Sequence, residues 1–348
     1  MKVLVTGGAG YLGSVLVPKL LVRGHQVRVV DIGYFGLGHL RGLLPAPEVI
    51  REDLRSVIHD PDACARLMEG CGCVIHLAAM SNDPSAELQP KLTEECNFDT
   101  TVALARVAKQ RNIRFLFSSS CSVYGEADGE LDESGATCPL TVYAKSKVDS
   151  EEALEGLAGP SWRPVILRNG TLFGYSQRMR FDLVINIFSL YSTIYNEIRI
   201  FGEGNQWRPF LHVSDCARAF VHFAENEAQH ILYNVAHQNL RVRDLAEIFQ
   251  KLKPGLKVTY VPAADIDSRD YSVSTARLRA EQFKTYVDVA PGAEAIMESI
   301  VCGIIRDPES LFYRNAKWLK ELTQIGGFDH RHIVDLMDNF NAIQRATT

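Results

Sequence analysis

The chain has 348 residues, of which 46% are hydrophobic and 23% charged, and this composition is typical of a globular protein rather than a disordered or fibrous one. Its formal net charge of −5 lacks the basic excess that binding to nucleic acid or to an anionic membrane requires, so neither partner is predicted. The sequence shows no apolar run of membrane-spanning length, no signal-peptide pattern and no paired CxxC spacing among its eight cysteines, which predicts a cytoplasmic protein with reduced thiols and no metal site.

Short β-branched runs alternate with helix-length segments over the first half of the chain. Fully apolar runs of this kind are typical of strands in a parallel sheet that is covered by helices on both faces. The predicted fold class is therefore α/β, with a doubly wound parallel sheet. Strands are predicted at residues 3–6, 26–30, 73–77, 115–118 and 164–167.

The alternation weakens after about residue 170. Helices and short strands are predicted within residues 177–190, 199–207 and 241–252. Residues 1–170 are therefore predicted to form the first domain. Residues 171–348 are predicted to form mainly a smaller, discontinuous lobe, with segments that return to the sheet.

Glycines at positions 7, 10 and 13 lie between the first predicted strand and an apolar helix. Gly7 permits a tight turn, Gly10 lets the backbone approach a diphosphate, and Gly13 allows close packing of the helix on the sheet. The helix N-terminus adds N–H groups and the positive end of its dipole. This context favours a Rossmann-type dinucleotide site, which would include Tyr11 and Leu12. The alternative, a glycine-rich turn that binds no ligand, is disfavoured.

Asp31 ends the next predicted strand, about twenty residues after the glycine loop. A carboxylate there accepts hydrogen bonds from both hydroxyls of an adenosine ribose and repels a 2′-phosphate, so NAD is predicted over NADP. The alternative for Asp31 is a helix cap or turn residue. Asp53, with Leu54 beside it, follows another apolar stretch and is predicted to face the adenine.

Tyr143 and Lys147 are spaced i, i+4, which places both side chains on one face of a helix. We expect the ammonium to lower the pKa of the phenol, so that Tyr143 accepts a hydroxyl proton as a hydride leaves for NAD. Lys147 is also expected to hydrogen-bond the nicotinamide ribose. This spacing is common on solvated helix faces, so the interpretation depends on the serine run at 118–122. That run follows a predicted strand, where ligands of open α/β sheets bind.

Together these motifs resemble the extended short-chain dehydrogenase/reductase family, in its NAD-dependent nucleotide-sugar epimerase/dehydratase branch, which includes UDP-galactose 4-epimerases. The similarity covers roughly residues 1–280. It implies that Ser120, the third serine of the run SSSCSVYG, is catalytic, with Ser122 as second choice. It also implies that residues 171–348 mainly bind the substrate. Further NAD contacts are implied for Leu77, Ala78, Ala79, Asn97, Ser118, Tyr143 and Lys147.

The resemblance also implies a nucleotide-diphosphate sugar as the substrate. Arg208 lies in a segment with which such epimerases grip the diphosphate, and Arg269 falls where the family supplies a second phosphate ligand. His212 is expected to be a packed, supporting residue. Thr171 stands where sugar epimerases commonly have Asn. Substrate contacts are implied for Ser81, Asn82, Ser120, Ser122, Tyr143, Thr171, Arg208 and Arg269.

The favoured reaction is an NAD-dependent epimerisation, in which a sugar hydroxyl, at C4, becomes a transient ketone and is reduced again. Residues 173–183 and 206–209 are similar to a subgroup with GDP-heptose 4-dehydrogenases, so a 4-dehydrogenase that releases a ketosugar is the alternative. A 4,6-dehydratase is disfavoured because Cys121 and Ser122 replace its Asp-Glu pair. A catalytically silent dinucleotide-binding regulator is disfavoured because the Ser-Tyr-Lys set is complete.

Two helical segments, 94–111 and 143–157, match those that pair across a two-fold axis in relatives, so a homodimer is predicted. The last fifty or so residues, including 308–322, match the family poorly. Two roles stay open for them: covering the second lobe or extending the subunit interface.

Overall fold

The computed structural model describes residues 1–262 and 269–326. Its strands are Lys2–Thr6 (β1), Gln26–Asp31 (β2), Glu48–Arg51 (β3), Cys73–His76 (β4), Arg114–Ser120 (β5), Glu126–Leu131 (β6), Val165–Asn169 (β7), Thr171–Phe173 (β8), Glu197–Phe201 (β9), Trp207–His212 (β10), Leu232–Val235 (β11), Gln238–Arg241 (β12), Lys257–Val261 (β13) and Asp270–Val273 (β14). Its helices are Gly13–Val22 (α1), Pro61–Leu67 (α2), Asp83–Ala86 (α3), Pro90–Glu94 (α4), Thr100–Gln110 (α5), Val142–Leu157 (α6), Val184–Tyr195 (α7), Val213–Glu225 (α8), Val242–Leu252 (α9), Ala276–Ala280 (α10), Val289–Val301 (α11) and Asn315–Gly326 (α12).

Seven parallel strands form the main sheet, in the order β11-β7-β5-β4-β1-β2-β3. This arrangement confirms the predicted doubly wound α/β fold, and each of the five predicted strands is present. The chain winds away from β1 in both directions, so a crevice opens where β1 and β4 end. Residue 170 lies between β7 and β8, which belong to different sheets, while β11 returns to the main sheet from the later part of the chain.

The main sheet is apolar on both faces because helices cover each one. Val3, Leu4 and Val5 of β1 are fully buried, and burial of each such side chain is worth about 1.5–3 kcal/mol. Helices α1 and α8 pack together on one face, while α2 and α5 pack together on the other. This double cover fixes the strand ends from which the candidate site residues project.

His76 ties the centre of the sheet to α5. Its ring nitrogens lie 2.6 Å from the Thr6 hydroxyl and 2.9 Å from the Thr101 hydroxyl. Burial lowers the pKa of His76 to about 3, so the imidazole is neutral at physiological pH. The histidine is therefore a structural link between β1, β4 and α5.

The smaller lobe has its own apolar core. Strands β9 and β13 pair in parallel, and helices α7, α9 and α11 pack around them. The helices predicted within 177–190 and 241–252 correspond to α7 and α9, while 199–207 spans the end of β9 and the start of β10. A three-stranded sheet, β12-β10-β8, joins this lobe to the main sheet.

The C-terminal part of the described chain packs beside the end of β2. Leu319 and Leu322 of α12 are buried against Tyr34 and Met80, and the Trp318 indole donates a 2.8 Å hydrogen bond to the Tyr34 carbonyl. This segment therefore covers one end of the crevice. Within 1–262 and 269–326, none of the helices has both the length and the apolarity needed to cross a membrane.

Candidate active site

A cavity of about 1030 Å³ opens where β1, β2, β4 and β5 end. Nearly all of the predicted site residues converge on its walls, although many of them are far apart in the sequence. The predicted residues that line the cavity are Gly7, Gly10, Tyr11, Leu12, Gly13, Asp31, Asp53, Leu54, Leu77, Ala78, Ala79, Ser81, Asn82, Ser118, Ser120, Tyr143, Lys147, Thr171, Arg208 and Arg269.

The glycine loop forms a cradle at the start of α1. Gly7 has φ +69°, and a Cβ there would lie 2.7 Å from the Ala78 nitrogen. A Cβ at Gly13 would lie 2.5 Å from the backbone of Gly8, so only glycine allows this close packing. At Gly10 a Cβ would meet only the Gly7 carbonyl, at 3.2 Å, so its other side is open. These contacts fit a diphosphate at the helix N-terminus.

Asp31 is held in place at the end of β2 by two backbone groups. Its carboxylate accepts hydrogen bonds from the nitrogens of Ala9, at 3.0 Å, and Gly33, at 2.8 Å. Burial raises the pKa of Asp31, and these two bonds oppose that rise. Each carboxylate oxygen accepts more than one bond, so the group retains capacity for a ribose hydroxyl.

Asp53 lines the cavity, but its carboxylate is committed to its own loop. It accepts from the Arg55 nitrogen at 2.9 Å and pairs with the Arg55 guanidinium. Asn97 does not line the cavity. Its amide accepts from the Met80 nitrogen at 2.7 Å and donates to the Ser146 hydroxyl at 3.0 Å. The structure therefore places Asn97 behind the wall, where it fixes the loop after β4, and its predicted contact with the cofactor stays a prediction.

The predicted catalytic side chains meet at the end of β5. Ser120 forms a side-chain hydrogen bond with the phenol of Tyr143, and Lys147 lies one turn further along α6. Ser122 is buried outside the lining of the cavity, and its hydroxyl donates to Ser120 at 2.9 Å. Of the two predicted serines, Ser120 lines the cavity and Ser122 lies behind it, and their substrate contacts stay predictions. Helix α6 begins at this point because the Thr141 hydroxyl accepts from the Ala144 nitrogen at 3.1 Å.

Burial dominates the electrostatics of this set. Burial raises the pKa of Tyr143 to about 12, with a further rise from Asp83, while Ser120 lowers it. Burial lowers the pKa of Lys147 to about 7. The Lys147 ammonium donates to the Ser118 carbonyl at 2.9 Å and lies 5.7 Å from the centre of the Tyr143 ring. Desolvation therefore outweighs the groups that lower the pKa of the phenol in the protein alone, and the effect of Lys147 on Tyr143 stays a prediction.

A buried ion pair supports the catalytic helix. Glu151 lies one turn after Lys147 on the same face of α6 and bonds Arg168 of β7, with a shortest distance of 2.6 Å. Glu151 also accepts a hydrogen bond from the Ser119 hydroxyl. The pair therefore fixes α6 against both β5 and β7, which orients Tyr143.

The second half of the cavity carries the predicted phosphate ligands. Arg208 donates to the Arg269 carbonyl and lies 5.8 Å from the centre of the Tyr271 ring. Arg269 pairs with Asp83 at 2.8 Å, and Asn82 donates to Asp182 at 2.8 Å. Both predicted arginines therefore line this half of the cavity, where arginine side chains can bind an anion.

Sequence reasoning missed several residues that line the cavity. Arg178, Arg180 and Asp182 follow β8, and Asn315 begins α12. Arg180 bonds Asp182 at 2.9 Å, and Arg178 bonds the side chain of Asn315. The sequence did contain a signal for them, namely three charged residues within the otherwise apolar stretch 178–185. Charged side chains are rarely buried unless they are paired, so such a stretch indicates a candidate site.

Comparisons with known proteins agree with this geometry. The model of the NAD dependent epimerase/dehydratase family matches residues 3–236. The chain belongs to this family. A protein of Bacillus subtilis (strain 168) described as "Uncharacterized UDP-glucose epimerase YtcB" is 31% identical over 236 residues, 64% of this chain and 72% of its own. A "Putative UDP-glucose 4-epimerase" of Methanocaldococcus jannaschii is 31% identical over 224 residues, 62% of this chain and 71% of its own.

Solved structures of the family show the same fold with its cofactor. MoeE5, solved in complex with UDP-glucose and NAD, has a TM-score of 0.73 and 27% identity, and the match covers 87% of this chain and all of MoeE5. Members of the epimerase/dehydratase family are NAD-dependent enzymes, which confirms the predictions of an enzyme and of NAD as its cofactor. The glycine cradle and Asp31 are the features of this chain that fit NAD.

Proposed function

We propose that this family member is an NAD-dependent 4-epimerase that acts on a UDP-linked sugar. The observation that carries the proposal is one cavity whose lining includes the glycine cradle, the Ser120, Tyr143 and Lys147 set, and the arginines 208 and 269. The two relatives at 31% identity, both described as UDP-glucose epimerases, support the nucleotide and the reaction. In this arrangement the arginines hold the substrate diphosphate and the sugar reaches Tyr143.

Bound NAD supplies a reversible hydride acceptor for the sugar carbon. Tyr143 would take the proton of the C4 hydroxyl when the sugar is oxidised to a ketone and would return it when the ketone is reduced. Ser120, within hydrogen-bonding reach of Tyr143, polarises the sugar oxygen. No further acid or base is needed, because the proton and the hydride that leave the sugar are the ones that return.

Two features favour this reaction over loss of water from the sugar. Cys121 is 1% exposed and donates its thiol hydrogen to the Arg168 carbonyl, so it faces away from the cavity. Asp83, the carboxylate that acts on Tyr143, is paired with Arg269 and accepts a hydrogen bond from Thr141. Elimination needs an acid and base pair beside the sugar, and these groups are committed elsewhere.

The test is to denature the purified protein, identify the released dinucleotide by mass spectrometry, and then incubate native protein with UDP-glucose or UDP-galactose. We expect NAD in the extract and conversion of each sugar nucleotide into the other. The absorbance of NADH should show no net change, because each hydride removed is returned. The Tyr143→Phe variant is the matched control, for which we expect much slower turnover.

Other products would contradict the proposal. NADH that accumulates together with a ketosugar would identify the 4-dehydrogenase instead. Bound NAD without turnover of any UDP-, GDP- or dTDP-linked sugar would favour a catalytically silent regulator that binds the dinucleotide.

We also propose that the protein is a cytoplasmic homodimer, with α5 and α6 at the interface. The two helices pack side by side, and Val102 of α5 is only partly buried in the single chain. All eight cysteines are unpaired, which suits a reducing compartment. Light scattering at micromolar concentration should give twice the chain mass, and Val102→Glu should lower it. A single-chain mass for the unsubstituted protein would overturn the dimer.

A further inference from the structure

The segment after β8 carries two buried arginines, of which one hydrogen-bonds a carboxylate and the other hydrogen-bonds only neutral groups. Arg180 is paired with Asp182 through bonds of 2.9 and 3.0 Å. Arg178, only 2% exposed, donates to the Met179 carbonyl and to the Asn315 amide oxygen, which are both neutral. Its Nε is buried without a hydrogen-bond partner among the described residues. A buried guanidinium with neutral partners and an orphaned donor is costly unless an anion completes it.

The neighbours of Arg178 show where that anion would lie. The guanidinium stacks on the Phe35 ring at 3.7 Å, lines the cavity, and is close enough to Asp31 and Tyr11 to affect their titration. Asp31 marks the place of the adenosine ribose, and Tyr11 belongs to the glycine loop. Arg178 therefore lies near both the glycine loop and the end of β2, and a dinucleotide carries its diphosphate between such a loop and the carboxylate that binds its ribose.

We propose that Arg178 binds the diphosphate of NAD, opposite the backbone of the glycine loop, and that Asn315 of α12 holds the guanidinium in position. The planar fork of an arginine suits two oxygens of a diphosphate. Burial and the charge of Arg180 lower the pKa of Arg178 to about 9, which leaves it cationic at neutral pH. An adjacent anion stabilises that cation.

The nucleotide sugar also carries a diphosphate, so it is the other ligand that could bind Arg178. Arg208 and Arg269 lie with Tyr271 and Asp83 in the other half of the cavity. The groups around Arg178 include Asp31, Tyr11 and Phe35, in the glycine loop and at the end of β2, together with Arg180, Asp182 and Asn315 on its own side of the cavity. The geometry therefore assigns Arg178 to the cofactor. This inference requires NAD as the cofactor but not the sugar reaction, so binding measurements test it whatever the product is.

The experiment compares Arg178→Met with the unsubstituted protein after bound nucleotide has been removed, using calorimetric titration with NAD, ADP-ribose, adenosine and UDP. We expect Arg178→Met to weaken the binding of NAD and of ADP-ribose by about tenfold to a hundredfold, the range for a hydrogen bond to a charged group. Adenosine and UDP should bind as they do to the unsubstituted protein. Arg178→Lys keeps the charge and loses the planar fork, so its affinity for NAD and ADP-ribose should lie between those of the unsubstituted protein and Arg178→Met. Asn315→Ala should weaken the binding of the same two ligands by a smaller factor.

Arg28→Met is the matched control for loss of a buried arginine. Arg28 is 9% exposed, donates to the Leu67 carbonyl at 2.7 Å and does not line the cavity. We expect unchanged affinity for all four ligands. Selective loss of UDP affinity in Arg178→Met would assign the residue to the substrate and overturn the proposal. Equal loss for adenosine and ADP-ribose, or no loss for either, would also overturn it. If Arg178→Met does not fold, Arg178→Lys gives the same comparison.

Discussion

Tyr143→Phe is expected to lower kcat by about a hundredfold to ten-thousandfold, the contribution of a positioned acid or base. The substitution removes the hydroxyl that exchanges the proton with the sugar oxygen and leaves the aromatic ring in its buried site. Bound NAD and the KM for the nucleotide sugar should change little, because the glycine cradle, Arg208 and Arg269 are untouched. Steady-state kinetics and quantification of released NAD measure these effects separately.

The pH dependence gives a second measure of the same role. Burial raises the pKa of Tyr143 to about 12, so the phenol is protonated at neutral pH in the protein alone. The activity of the unsubstituted enzyme should therefore rise with pH between about pH 6 and 9, as the ionised fraction grows, and the residual activity of Tyr143→Phe should lose this rise. Tyr286→Phe is the control, since Tyr286 is 66% exposed and does not line the cavity. Full activity in Tyr143→Phe would remove Tyr143 from the mechanism.

Local sequence spacing was sufficient to predict the parts of the site that lie within one strand and its turn or within one helix. The glycine loop and Asp31 line the cavity because strand ends of a parallel sheet meet at one edge, and Tyr143 and Lys147 line it from one face of α6. Spacing did not reveal which neighbours would be buried. The raised pKa of Tyr143 follows from desolvation, which no distance along the sequence expresses.

Contacts between distant segments could not be predicted in the same way. Arg178 and Asn315 are 137 residues apart in the sequence, and their bond depends on how α12 packs beside the end of β2. Asn97 lies in a π-helical turn at Glu95–Asp99, which changes the rotation of side chains relative to an α-helix. Its side chain faces Met80 and Ser146 as a result, and the family resemblance did not indicate that.

Glu151→Leu is expected to destabilise the protein by about 3–5 kcal/mol, the cost of leaving one buried charge without its partner. Glu151 and Arg168 are 3% and 5% exposed, so little water reaches the guanidinium that would remain. The loss is a large fraction of a typical unfolding free energy of about 5–15 kcal/mol. Urea unfolding followed by circular dichroism would measure it, and reduced activity at permissive temperature should accompany it, because Ser119 also loses its acceptor beside the catalytic serine.

The double variant Glu151→Leu with Arg168→Met separates loss of the pair from an uncompensated charge. Replacement of both partners by apolar side chains should recover much of the lost stability, since the remaining charge is what costs most. Asp149→Ala on the same helix is the matched control. Its pair with Lys145 is solvent-exposed, with side chains 36% and 67% exposed, and such i, i+4 pairs contribute only about 0.3–0.5 kcal/mol. If the single and double variants lost equal stability, the destabilisation would come from packing around α6, and Glu151 would orient the catalytic helix by shape rather than by charge.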